Sequence, residues 1–346
     1  MSKIRRFIDI GGNLTDAMYS GVYNGSKKHQ PDLQQVLQRS WEAGLNKIII
    51  TGGNLEESKK ALELANSDVQ FIKNCFHHEI TPYLGIQWAR LYTTVGCHPT
   101  RCSEFEQDGQ NPNEYLEKLK EVILTGKSKV VAVGESGLDY ERIQFCPKDT
   151  QKKYFEYQLK LSESLQLPLF LHCRNAADDL FNILKEYDGL KGVVHSFDGT
   201  SEEAQRFIEL GYYIGLNGCS LKTQDNLNTI KSLPSNKILI ETDCPWCEIR
   251  PSHAGYKFIS KENLSIPSIK KEKWRPDYMV KSRNEPNNIR QILDVVASVR
   301  NEDADELSEK NLSKHLRFIF PMKKRYNKTN ISNKNCINNI MAFINK

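Results

Sequence analysis

Val130-Val131-Ala132-Val133-Gly134-Glu135, Leu169-Phe170-Leu171-His172, Gly192-Val193-Val194-His195 and Ile238-Leu239-Ile240-Glu241-Thr242-Asp243 are four short apolar runs. Each closes, at or just past its downstream end, on a carboxylate or an imidazole. A stretch with apolar residues at helical spacing follows each run, directly or after a loop. A chain that alternates strand and helix builds a parallel sheet, and all its strand ends then emerge on one face. In a closed eight-stranded version the chemistry sits on that face. Glu135, His172, His195 and Asp243 converging there predict a divalent-metal site. Hard carboxylate oxygen mixed with borderline imidazole nitrogen suits Mg²⁺, Mn²⁺ or Zn²⁺ and does not choose cleanly among them.

Working outward, eight strands are expected at 6–10, 47–51, 91–97, 129–135, 167–173, 192–196, 212–216 and 237–242. Helical faces lie between them: Leu33, Val36, Leu37 and Trp41; Leu116, Leu119, Val122 and Ile123; Leu180, Phe181, Leu184 and Tyr187; Ile289, Ile292, Leu293 and Val296. Asn54 with Glu57 and Thr200 with Glu203 fit capping boxes, and Asn113 and Asn175 are in place to cap their helices. Gly44, Gly126, Gly189 and Gly211 fall where a left-handed residue ends a helix. The expected fold is a (β/α)8 TIM barrel. Its competitor, a doubly wound open sheet, is weakened because no Gly-rich dinucleotide or phosphate loop follows any strand.

The totals agree with such a barrel. The chain has 346 residues, 39% of them hydrophobic and 26% charged, a composition expected of a soluble globular protein with no membrane segment. Nine cysteines without a secretory signal point to free thiols in a reducing compartment. The net charge of +5 is local. The segment 321–346 carries six Lys/Arg and no acid, so the rest of the chain is slightly negative. This tail is rich in Asn and reads as disordered. Within the remainder, 249–283 holds nine Lys/Arg against three acids, with Tyr256, Phe258, Trp274 and Tyr278 interleaved. Charge for a phosphate backbone and rings for stacking are what single-stranded nucleic acid requires.

Seven motifs occur in order along the chain. They are Asp9-Ile10-Gly11-Gly12-Asn13-Leu14-Thr15-Asp16, Gly96-Cys97-His98-Pro99, Gly134-Glu135-Ser136-Gly137-Leu138-Asp139, Leu171-His172-Cys173-Arg174, His195-Ser196-Phe197-Asp198-Gly199, Glu241-Thr242-Asp243-Cys244-Pro245-Trp246 and Arg283-Asn284-Glu285-Pro286. Together they resemble the motifs of TatD-type deoxyribonucleases, and the eukaryotic branch of that family above all. The resemblance spans residues 7 to about 320. It leaves out 74–90, an unusual insertion expected at the bottom of the barrel, whose Phe76, Tyr83 and Trp88, with Tyr92, form an aromatic cluster. The domain expected is therefore 1–320, followed by the tail 321–346.

The resemblance implies a metal-dependent hydrolase barrel that cleaves DNA phosphodiester bonds, with Glu135, His172, His195 and Asp243 as metal ligands. Much of the family has a His-x-His pair where this chain has Gly11 and Asn13. Glu135, His172 and His195 then make one firm site, and a weaker second site rests on Glu135, Asp243 and water, favouring Mg²⁺. The expected nucleophile is a metal-activated water, with Asp243 both ligand and proton acceptor and Glu135 as the other catalytic residue. Asn13, His98, Arg174 and Lys222 are the candidates for contact with substrate. The expected enzyme is an ester hydrolase acting on DNA as a monomer without an obligate protein partner, in nucleus or cytoplasm. Two alternatives remain: a hydrolase of a small phosphoester, lactone or amide, and a non-catalytic nucleic-acid-binding barrel. Cys244-Pro245-Trp246-Cys247 imitates a redox dithiol, a weak signal outside a thioredoxin-like unit.

Overall fold

In the computed structural model, which describes residues 5–75 and 90–319, eight parallel strands follow one another around a nearly closed barrel. They are β1 (Phe7–Gly12), β2 (Leu45–Ile50), β3 (Leu91–Val95), β4 (Val130–Asp139), β5 (Leu169–Arg174), β6 (Gly192–Val194), β7 (Tyr213–Leu216) and β8 (Ile238–Ile240). Each is followed by a helix on the outside. These are α1 (Leu33–Glu42), α2 (Leu55–Cys75), α3 (Pro112–Thr125), α4 (Lys148–Leu165), α5 (Ala177–Lys185), α6 (Ser201–Glu209), α7 (Gln224–Ser232) and α8 (Ile289–Arg300), and α9 (Ala304–Ile319) follows α8. The fold is the expected TIM barrel. No described helix is long and apolar enough to cross a membrane.

Side-chain alternation along the strands divides the molecule into two apolar regions. Ile8, Ile10, Ile49, Tyr92, Val131, Ala132, Phe170, Val193 and Leu239 fill the barrel interior. The other strand faces pack against Val36, Leu119, Leu180, Leu293 and their helical neighbours in a surrounding layer. Residues two places beyond the interior plug stay on the inward side but reach the barrel mouth. Phe170 is thus succeeded by His172, Val193 by His195 and Leu239 by Glu241. The expected inward set is polar because it sits one step above an apolar plug.

The seam between β8 and β1 is bridged near the mouth. The backbone N–H of Asp243 donates to the Gly11 carbonyl at 2.8 Å, and that of Asn13 to the Cys244 carbonyl at 2.7 Å. Between them, the buried Asp9 carboxylate accepts from the Thr242 N–H at 3.0 Å, the Thr242 hydroxyl at 2.5 Å and the Gly11 N–H at 3.2 Å. Burial pushes the Asp9 carboxyl up to about 7, with these hydrogen bonds opposing it.

Several local expectations are corrected. β4 runs on to Asp139 instead of ending at Glu135, because a bulge between Gly134 and Ser136 lets the strand continue along β5. Asn111, not Asn113, caps α3, and Ala176 precedes α5 without a side-chain cap, so Asn175 does not serve there. Gly126 has a φ of −90° where a left-handed residue was expected, whereas Gly44, Gly189 and Gly211 are left-handed. Helix α2 extends through Asn74 to Cys75, and residues 76–89 and the tail 320–346 lie outside the described residues. Tyr92, grouped from the sequence with the insertion's aromatics, is instead a wall of the barrel interior.

The basic segment is not uniformly a surface track. Arg283 is buried and forms ion pairs with Asp32 at 2.7 Å and Glu285 at 3.0 Å, and Arg39 holds the other side of Glu285 at 2.9 Å. Trp274 stacks on His29 and donates to Asp32 at 2.9 Å. These two residues fasten the segment to the top of α1 and are not free to meet a ligand. Removing Arg283 would leave two buried carboxylates facing each other, so Arg283→Ala should lower stability by about 3–5 kcal/mol in urea unfolding. A loss under about 1 kcal/mol would show that Arg39 alone neutralises the pair.

Candidate metal centre

Three imidazoles turn toward one carboxylate oxygen at the mouth of the barrel. Glu135 Oε1 lies 2.7 Å from His195 Nε2, 2.8 Å from His172 Nδ1 and 3.5 Å from His98 Nε2. Glu135 reaches this point from the bulge in β4. Gly134 has a φ of +149°, and a Cβ on it would stand 2.3 Å from the Phe170 carbonyl, so only glycine can carry the chain there. His172 and His195 leave the inward sides of β5 and β6, and the His195 ring stacks on Phe170 with centroids 4.4 Å apart. The second His172 nitrogen, Nε2, faces Asp139 Oδ2 at 3.1 Å, which fixes the ring plane.

His98 sits closer to the centre than the sequence required, 3.3 Å from His172 Nδ1. The Thr100 backbone N–H donates to His98 Nδ1 at 3.2 Å, so the ring proton is on Nε2 and points into the site. Burial pushes His98 down to about 3, which keeps the ring neutral. Asp243 stands at the rim, with Oδ1 accepting from Asn13 Nδ2 at 2.9 Å and Oδ2 from the Cys247 thiol at 3.2 Å. Burial raises the Asp243 carboxyl to about 6. Its backbone is left-handed, with φ of +53°, a conformation Asp accepts more readily than most residues.

Of the expected metal set, the structure brings together donor atoms of Glu135, His172 and His195, all within 4.8 Å of one another; a second such group is His98, Asp139 and His172. Asp243 belongs to neither group and faces the cluster from the β8 side. Asn13 is bonded to Asp243 and is not free-standing. Arg174 and Lys222 lie farther out, lining an open groove of about 680 Å³ with the first residues of α5, α6 and α7.

The donor set fits a divalent cation. Asp9, Glu135, Asp139 and Glu241 are buried around the histidines, and Asp243 is partly exposed. Burial raises the Glu135 carboxyl, yet the charge of His195 and hydrogen bonds from His172 and His195 outweigh it and hold it well below its usual range. Burial lowers His195, but Glu135 and Glu241 drive it well above its usual value. Only His172 and His195 are raised toward the charged form, so the imidazoles offset part of this negative charge and leave the rest for a cation. Among the buried polar atoms left without a hydrogen bond are His195 Nδ1 and Glu241 Oε2.

Asp139 and Glu241 were not singled out from the sequence. The available signal was strand alternation: Asp139 is two inward steps beyond Glu135, and Glu241 is one inward step before Asp243. Glu241 also crowds position 11, the first place of the absent His-x-His pair. Its Oε1 accepts from the Ser196 N–H at 2.5 Å, and its Oε2 lies 2.8 Å from where a Cβ on Gly11 would stand. The carboxylate of Glu241 occupies the room that a side chain at position 11 would need.

Comparison with known proteins agrees with this geometry. A family model described as TatD related DNase matches residues 8–319. The chain is 44% identical over 312 residues to Deoxyribonuclease Tat-D of Schizosaccharomyces pombe, covering 89% of this chain and 93% of that one. It is 31% identical over 301 residues to the 3'-5' ssDNA/RNA exonuclease TatD of Escherichia coli, covering 86% and 92%. The crystal structure of a hydrolase TatD family protein from Entamoeba histolytica superimposes with a TM-score of 0.81 at 39% identity, over 92% of this chain and 100% of that one.

Gly11→Ala tests the crowding at β1. The new methyl would meet Glu241 Oε2 at 2.8 Å and Phe170 Cζ at 3.0 Å. Its expected cost is about 1–3 kcal/mol in denaturant unfolding, in the range of overpacked cores. An unchanged midpoint would mean that Glu241 can swing aside freely.

Proposed function

The chain belongs to the TatD-related DNase family, and from that premise we propose that it is a divalent-cation-dependent deoxyribonuclease that hydrolyses DNA phosphodiester bonds. The observation that carries this reading is the meeting of His172 and His195 on Glu135 Oε1 at 2.8 and 2.7 Å, inside a cluster rich in carboxylates. Glu135, His172 and His195 would hold the cation, with Asp243 as the fourth ligand. When bound, the cation polarises a phosphate oxygen and lowers the pKa of water. Mg²⁺ is the cation favoured for any weaker second position, because Gly11 and Asn13 offer no imidazole there.

Asp243 is suited to take the proton of the attacking water. Its carboxyl is raised to about 6, and its two oxygens are oriented by Asn13 and Cys247. His98 presents Nε2–H as a fixed, neutral donor toward the phosphate or the leaving oxygen, giving a hydrogen bond and not a formal charge. Asp139 keeps the His172 ring in place. Arg174 and Lys222, on the adjoining groove, supply positive charge where flanking phosphates would run.

Lys271 stands above the Tyr23 ring at 4.7 Å, and the exposed Lys270 and Lys273 make with it a second stretch of positive charge. The catalytic unit in this reading is 1–320, working as a monomer in nucleus or cytoplasm.

Assays on labelled single- and double-stranded DNA should show hydrolysis with Mg²⁺ and none with EDTA. Glu135→Ala and Asp243→Ala should abolish it in a folded barrel, while His172→Ala and His195→Ala should weaken cation affinity at least about tenfold by calorimetry. Wild-type turnover in both carboxylate variants would refute the assignment. Neutralising Lys270, Lys271 and Lys273 together should flatten the salt dependence of the KM for DNA by a slope of up to about three. A small phosphodiester should be cleaved as before, and an unmoved salt slope would remove this segment from the DNA path.

A further inference from the structure

Cys247 does not pair with Cys244, its partner in the Cys-x-x-Cys sequence. Cys244 is buried in the layer between strands and helices. The Cys247 sulfur instead stands 2.8 Å from that of Cys219, 28 residues earlier. Cys219 opens the short turn after β7, and Cys247 lies in the loop after β8, so the two sulfurs join neighbouring loops at the barrel mouth.

Both loops are held where they meet. A Cβ on Gly218 would fall 1.9 Å from the Cys247 carbonyl, so the backbones touch. The Cys219 N–H donates to Asn217 Oδ1 at 2.8 Å, and Asn284 Nδ2 donates to the Trp246 carbonyl at 2.8 Å. Cys247 is partly exposed, which gives a small solute access to the pair. Its thiol also donates to Asp243 Oδ2 at 3.2 Å.

We propose that Cys219 and Cys247 form a reversible oxidation site, in which a peroxide converts the two thiols to a disulfide and withdraws the S–H donor from Asp243. The step balances. One sulfur attacks the peroxide, breaking the O–O bond to give a sulfenic acid and one water. The second sulfur then displaces the sulfenic oxygen, which leaves with the second thiol proton as another water. Two thiols are oxidised by two electrons and one hydrogen peroxide is reduced to two waters. The Cys219 thiol is suited to such an attack. The contact with the Cys247 sulfur and the neighbouring Lys222 pull it below the usual thiol value, against burial. Disulfides in a reducing compartment are commonly transient and redox-sensing. The disulfide chemistry does not depend on the nuclease reading.

The test uses the full chain, reduced, freed of reductant and exposed to a small molar excess of hydrogen peroxide. Free thiols are then blocked with N-ethylmaleimide, and the chain is digested without reduction for mass spectrometry. A peptide pair joined through Cys219 and Cys247 is expected, lost after dithiothreitol and absent from Cys219→Ser and Cys219→Ala. Affinity for Mn²⁺ in calorimetric titration should fall about tenfold on oxidation, the usual cost of losing a partner that orients a metal ligand, and recover on reduction. The Cys219 variants should show no such response. Finding both cysteines as maleimide adducts while other thiols oxidise would overturn the proposal. A joined peptide with unchanged Mn²⁺ titration would reject the link to Asp243, whether or not the chain cleaves DNA.

Discussion

Everything at the barrel mouth depends on the closure of β8 onto β1. A parallel sheet of eight strands brings its ends to one point only if its edges meet, and here they meet through a carboxylate as well as a ladder. Asp9 accepts from Thr242 and Gly11, filling the seam that backbone bonds to Gly11 and Asn13 then complete. The arrangement sets the direction of β8 at its end and so decides where Glu241 and Asp243 stand. A carboxyl held at about 7 by burial is a costly closure, tolerated because three donors converge on it.

The same constraint explains why the centre is anionic. Asp9, Glu241 and Asp243 arrive together at the seam, and the bulge in β4 adds Glu135 from the opposite side, with Asp139 further along. Three imidazoles cannot balance so much negative charge at neutral pH, since His98 is held neutral. A barrel assembled in this way is left short of positive charge at one point, where a divalent cation would supply it.

How much of this was legible in the sequence varied with the range of the interaction. The eight strands were visible because each is a short apolar run, and the helical faces because Val36, Leu119, Leu180 and Leu293 recur at helical spacing. His172 and His195 were legible for the same reason: each closes a run. The bulge at Glu135 was not, because it depends on the register of β4 against β5 and on the φ of Gly134, neither of which is a local property of composition. Charge counting placed Arg283 and Trp274 on a nucleic-acid track, although burial and pairing with Asp32 assign both to fastening the segment. The Cys244-x-x-Cys247 spacing drew attention to the wrong partner, since alternation at the end of β8 sends Cys244 outward and leaves Cys247 to meet a neighbouring loop.

The departure at Gly11 follows from these observations and is not a simple loss. A histidine there would need the space that Glu241 Oε2 now fills, 2.8 Å from the required Cβ. Glu241 cannot readily yield it, because its other oxygen is bonded to the Ser196 N–H at 2.5 Å, just after His195. Moving Glu241 would therefore disturb His195, and with it the contact to Glu135. Gly11, Glu241 and His195 form one packing unit, in which a small residue on β1 permits a carboxylate on β8 that in turn places an imidazole on β6. The glycine is thus part of how this barrel builds its centre: it leaves room on the first strand for the carboxylate that lies against His195 on the sixth.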